Sequence, residues 1–125
     1  LSNHPRTEAV MHSCSSSPEM ATRLLDLGCY FSLSGTITRQ NAKRARRLAG
    51  FLPDDRLLLE TDSPSMGISG VDQPNISHIG MIFEELCRIR KQKKEELSSV
   101  IYRNTNRLFG QRLETVLAIK ENDGR

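Results

Sequence analysis

The stretch Leu57-Leu58-Leu59-Glu60-Thr61-Asp62-Ser63-Pro64 constrains this chain more than any other. Three leucines follow the polar Asp54-Asp55-Arg56, and Ser63-Pro64 closes the run. A short apolar segment bounded in this way reads as a buried strand, although periodicity alone leaves a helix segment open. Proline drives the residue before it toward extended backbone, so the strand is expected to end there. Two carboxylates, Glu60 and Asp62, stand at its C-terminal end. α/β enzymes keep catalytic groups and metal ligands at that end of buried parallel strands. A loop Asp that caps a turn or helix is the plain alternative.

Two further strand candidates precede this stretch. Ala9-Val10-Met11 is apolar and ends at His12, whose imidazole can bind metal. Cys29 to Leu33 is the second, followed by Ser34-Gly35-Thr36. Between them, Ser17-Pro18-Glu19 predicts a helix start: a hydroxyl N-cap, proline at the first helical position and an acid in the first turn. Met20, Ala21, Leu24, Leu25 and Leu27 form an apolar stripe at helical spacing, and Gly28 suits the stop. Asn41 to Gly50 reads as a second helix. A loop over 65–75 then leads to a helix bearing Ile76, Ile79, Phe83, Leu86 and Cys87 on one face. Leu97, Val100, Ile101, Asn104 and Leu108 mark a last helix, expected to close at Gly110. Residues 111–125 are expected to be a helical or disordered tail.

Strands alternating with helices imply an α/β fold with parallel pairing and right-handed crossovers. Three such strands leave both sheet edges open, while parallel sheets are covered on both faces. The chain also begins with Leu rather than Met. Both points lead to the expectation of a portion of a larger sheet or barrel.

Composition narrows the function classes. No apolar run approaches the roughly 20 residues of a membrane helix, and no signal peptide is visible. Cys14, Cys29 and Cys87 are an odd number, far apart and without a C-x-x-C pair. That argues against a disulfide or zinc-finger framework and for a reducing compartment, hence a cytoplasmic location. A net charge of +3 tolerates an anionic partner without requiring one.

Several stretches together resemble the TatD-like family of metal-dependent deoxyribonucleases, a branch of the metallo-dependent hydrolase TIM barrels. Val10-Met11-His12-Ser13-Cys14-Ser15-Ser16-Ser17 is similar to the family's strand-six stretch. Leu25 to Gly35 is similar to its strand-seven entry, and Leu57 to Pro64 to its strand-eight motif. The Gln73-Pro74-Asn75 loop and the ending Asn104 to Gly110 also fit, so the resemblance covers about residues 9 to 110. It implies that residues 1–110 are the C-terminal part of a TIM (β/α)8 barrel, with three of its eight strands. It further implies that His12 and Asp62 are metal ligands, that Asp62 also helps activate the attacking water, and that DNA is the substrate. The family's remaining ligands, a His-x-His, a Glu and another His, precede this segment. Carboxylate oxygen suits magnesium or manganese and imidazole suits zinc, so the pair leaves Mg, Mn and Zn open. Ser15 and Ser17 replace the Phe and Gly that the family usually carries after its strand-six His.

The remaining charged residues divide between chemistry and solvation. Arg39, Lys43, Arg46 and Arg47 share one helical face. Arg39, in the strand–helix loop, is a candidate phosphate contact, whereas Arg46 and Arg47 read as a solvated outer face. Arg88 to Lys94 reads as structural or solubilising, at a helix end where cations are expected. No Trp and no interleaved aromatics support a stacking platform. His4 reads as a surface residue, and His78 as surface or capping. Cys14 shares His12's side only if the strand continues past it. Asn104 is expected to brace the loop after the Leu57 strand. Two readings from other classes stand beside the enzyme: a truncated or degenerate non-catalytic barrel fragment, and a basic nucleic-acid-binding module with steeply salt-dependent binding.

Overall fold

A computed structural model of the chain describes residues 8–123, with side chains through residue 110. Its elements are β1 (Val10–His12), α1 (Pro18–Asp26), β2 (Tyr30–Leu33), α2 (Lys43–Phe51), β3 (Leu57–Leu59), α3 (Ile79–Arg90) and α4 (Lys94–Asp123). Short 3-10 turns occupy Gly35–Thr38, Asp54–Arg56 and Ile76–His78. The sheet is parallel in the order β1-β2-β3. The alternation of strand and helix signals is therefore realised, and the outer edges of β1 and β3 pair with no strand among the described residues.

Local chemistry explains the first unit. Ser17 caps α1 by accepting a hydrogen bond from the Met20 amide, with Pro18 at the first helical position. At the other end, the Gly28 amide donates to Leu25 and the Cys29 amide to Leu24. That pair of bonds is a Schellman stop, and Gly28 supplies its φ of +81°.

Side-chain alternation divides the sheet. Phe31, Leu33 and Leu57 enter a core with Leu48, Ile82, Leu86 and Leu97 from the helices. Each such side chain contributes about 1.5–3 kcal/mol when fully buried. The other face carries Val10 and His12 from β1, Tyr30 and Ser32 from β2, and Leu58 from β3. His12, Ser32 and Leu58 share one row across the three strands.

Several boundaries differ from the sequence reading: α2 is Lys43–Phe51 rather than 41–50, β2 starts at Tyr30, and Ile76 stands exposed in the 3-10 turn before α3 instead of on its buried face. The Leu57 strand ends at Leu59, so both carboxylates lie beyond it, in the loop. The last helix does not close at Gly110 but continues to Asp123. One interior glycine costs a helix only about 1 kcal/mol relative to alanine. Good helix formers, Gln111-Arg112-Leu113-Glu114, follow it and carry the helix on. His4 and residues 124–125 lie outside the described residues.

Candidate metal centre

The strands run parallel, so their C-terminal ends open on one side and bring their loops together there. His12 is the last residue of β1. Glu60 follows β3 directly, and its amide still bonds to the Leu33 carbonyl, extending the ladder by one residue. By alternation Glu60 shares a face with Leu58, and hence with His12. The two side chains meet across the middle strand. His12 Nδ1 lies 2.7 and 2.8 Å from the two Glu60 carboxylate oxygens and bonds to Oε2. The buried Oε1 has no aligned donor among the described residues. On the other side of the ring, His12 Nε2 lies 3.5 Å from Asp62 Oδ2.

Asp62 stands in the left-handed region with φ +50°, followed by a cis Ser63–Pro64 peptide. Asp tolerates this region better than most side chains. The imidazole of His12 is largely exposed, Glu60 largely covered and Asp62 half-buried. The hydrogen bond to Glu60, then its negative charge, raises the His12 pKa, with smaller contributions from Asp62.

The surrounding loops are stitched together by hydroxyls. Ser13 and Ser34 hydroxyls lie 2.6 Å apart, and the Ser69 amide donates to Thr38. A Cβ on Gly35 would stand 2.8 Å from the Gly67 carbonyl oxygen, so glycine is what lets the loop after β3 pack onto the turn after β2. Arg39 lies at this same end, exposed, with Nη2 3.4 Å from that Gly67 oxygen.

Imidazole nitrogen and carboxylate oxygen are both donors for divalent cations, so His12 and Asp62 can contribute to a metal site. Among the described residues, however, no group of three or more His, Cys, Asp or Glu is arranged to hold one ion. Glu60 was not assigned a role from sequence, because alternation could send it to either face. The deciding signal is the count of two residues from Leu58, which becomes usable once the facing of Leu58 is known.

Other expectations are corrected at Cys14, Arg46 and Asn104 and met at Arg90 and His78. Cys14 does not sit beside His12 on an extended strand: β1 stops at His12, Ser13 turns with φ +45°, and the Cys14 thiol bonds to Ser16. Arg46 is not a solvated residue. Its Nη1 donates to the Ile37 carbonyl and to Glu85, both at 2.6 Å. Burial opposes the Glu85 carboxylate, but hydrogen bonds from Arg46 and Arg88 outweigh it and lower the Glu85 pKa. In the basic run Arg88 to Lys94, Arg90 is structural, donating to the Ala49 and Leu52 carbonyls and to Asp54. Asn104 braces the turn before β3, not the loop after it, by donating to the carbonyls of Asp54 and Leu57. His78 does cap, accepting a bond from the Asn75 amide.

The profile of the family described as TatD related DNase matches residues 1–110. The chain is 37% identical over 107 residues to the uncharacterized metal-dependent hydrolase YjjV of Escherichia coli K12, covering 84% of this chain and 41% of that protein. An uncharacterized metal-dependent hydrolase of Haemophilus influenzae is 37% identical over 102 residues, covering 80% of this chain and 39% of that protein. The crystal structure of YjjV, a TatD homolog, superimposes with a TM-score of 0.78 over 85% of this chain and 41% of that one. The three-stranded parallel unit is thus part of a TIM-barrel fold of the TatD type. The chain spans about two fifths of the length of the curated relatives it matches.

Proposed function

The chain belongs to the TatD related DNase family, and from that premise we propose that it carries part of a metal-dependent hydrolase that cleaves phosphodiester bonds in DNA. One observation carries this reading. His12 and Asp62, from opposite edges of the sheet, turn ligand atoms toward each other at the C-terminal mouth of the strands.

In this reading His12 and Asp62 would contribute to holding a divalent cation, and magnesium, manganese and zinc all suit that donor pair. When bound, the cation supplies Lewis acidity and neutralises charge on the phosphodiester. Asp62 is also the group placed to accept a proton from the attacking water. Its left-handed backbone supports a functional role, because strained residues persist where the surroundings hold them and cluster at active sites. Arg39, at the same end, contributes a phosphate contact. Arg39→Ala is expected to weaken DNA binding and flatten its salt dependence, while Arg47→Ala does neither.

Catalytic sites commonly use at least three protein donors per metal, and the described residues bring two together. This favours the non-catalytic reading for the chain by itself. A basic binding module is less favoured, since Arg46, Arg88 and Arg90 are engaged by carboxylates within the fold.

The test is a nuclease assay on the chain and on a graft of residues 9–110 into the matching part of YjjV. The chain alone is expected to leave linear DNA intact. The graft is expected to degrade it, with loss of activity on adding EDTA and in Asp62→Asn. A folded, metal-loaded graft that spares DNA overturns the substrate reading. EDTA-sensitive and Asp62-dependent turnover by the chain alone overturns the expectation that it is inactive.

A further inference from the structure

We propose that Glu60 is the positioning residue of His12: it fixes which imidazole nitrogen carries the proton and aims the other at the cation. The inference rests on the reading of His12 and Asp62 as metal ligands and adds to it a residue that touches neither metal nor substrate.

Geometry separates the two carboxylates. Glu60 meets Nδ1 at 2.7 and 2.8 Å, while Asp62 faces Nε2 at 3.5 Å. The two nitrogens of one imidazole direct their bonds away from each other. A cation on Nε2 is therefore reached by Asp62 and not by Glu60. Glu60 can only accept from Nδ1–H, which leaves the Nε2 lone pair for metal. Carboxylate, imidazole and metal in series orient ligating histidines in general, and losing the carboxylate costs about 10–100-fold in metal affinity.

The middle strand makes the contact possible. His12 and Glu60 leave strands separated by two spacings, about 9–10 Å. His12 lies in the row of Ser32 and Leu58, and Glu60 two residues further along, level with Ser34, so the two long side chains close diagonally over a pair of short, buried serines. The coverage of Glu60, set against the exposure of His12, makes the carboxylate the fixed member and the imidazole the member being held.

The experiment uses the metal-free chain at alkaline pH, with the His12 tautomer read by long-range nitrogen–proton NMR and Zn2+ affinity by calorimetry. Wild type is expected to show one tautomer, with the proton on Nδ1. Glu60→Ala, folded by circular dichroism, is expected to show a mixture and to bind Zn2+ about 10–100-fold more weakly. Glu60→Gln keeps an acceptor oxygen and is expected to retain the wild-type tautomer. A wild-type proton on Nε2 overturns the proposal without any variant, and so does a Glu60→Ala chain with the wild-type tautomer. If wild type binds no Zn2+ but the tautomer responds as expected, the metal reading fails and the positioning role stands.

Discussion

The two ends of the short parallel sheet both carry polar clusters, and they are built to opposite purposes. Ahead of β3, the Arg90 guanidinium donates to the Ala49 and Leu52 carbonyls, to Asp54 and to Gln92. Asn104 adds bonds to the Asp54 and Leu57 carbonyls. These donors spend themselves on backbone that would otherwise be buried without partners. Beyond β3, Glu60 and Asp62 take different sides of one exposed imidazole, and Asp62 adopts a backbone region that side chains rarely occupy. Satisfied hydrogen bonds mark the end that stabilises. An exposed imidazole held between two carboxylates marks the other end. Parallel barrels separate stability and chemistry between their two faces in the same way.

Substitutions at the two ends should therefore fail differently. The largest effect is expected at Arg90, whose side chain is 9% exposed. Arg90→Ala should cost about 3 kcal/mol in urea unfolding, chiefly by leaving the Ala49 and Leu52 carbonyls without this donor, since the Asp54 carboxylate is 44% exposed and rehydrates. If its cost matched that of an ordinary surface residue, the proposed division of labour would collapse. Asn104→Leu should cost about 1–3 kcal/mol, because the buried Leu57 carbonyl loses its side-chain donor while the Asp54 carbonyl keeps the Leu57 amide. Zn2+ binding by the folded fraction should be unchanged in both variants. His12→Ala and Asp62→Asn should do the reverse, abolishing Zn2+ binding in calorimetry while leaving stability close to that of the wild type, as substitutions of surface residues do. A large stability loss in either would show that the mouth of the sheet is also structural.

The smallest expected effect is pH-dependent. The folded pKa of His12 is raised, so its pairing stabilises the metal-free chain fully below the unfolded histidine pKa of about 6.5. That contribution is lost as pH rises through the folded value. The wild-type advantage over Glu60→Gln in unfolding experiments should therefore shrink from acid to alkaline pH. It should be slight, because the imidazole is exposed and solvent screens the pair. Glu85 runs the other way. Its folded pKa is lowered, so its stabilisation is present above the unfolded carboxylate range and is lost as pH falls through the folded value.

Much of the architecture was legible because its causes are local. Ser17, Pro18 and Gly28 specify the ends of α1 through bonds to residues within a few positions. Three apolar runs separated by helical patterns imply parallel strands whatever the details. His12 and the pair Glu60 and Asp62 stood out because they follow such runs, and only the family resemblance singled out His12 and Asp62 as metal ligands. Gly110 misled because one glycine is a weak stop and its surroundings favour helix.

Other features depend on what faces what across the fold. Arg46 is as basic as Arg47, but α2 packs against α3 and turns Arg46 onto Glu85. Asn104 was identifiable as a buried amide, yet which backbone it would brace depended on where α4 crosses β3. Glu60 had even prospects of facing either way until the register aligned Leu58 with Ser32 and His12.

By itself, then, the sequence determined the order and type of the elements, the parallel sense of the sheet and the end at which His12, Glu60 and Asp62 gather. Those follow from propensity, periodicity and turn chemistry, which act over a few residues. Tertiary structure alone decided that Glu60 holds His12, that Asp62 takes the opposite nitrogen, and that Arg46 and Arg90 are spent on stability. Each of these requires two distant segments to be set side by side in one register, and a one-residue slip would turn the same side chains to the other face.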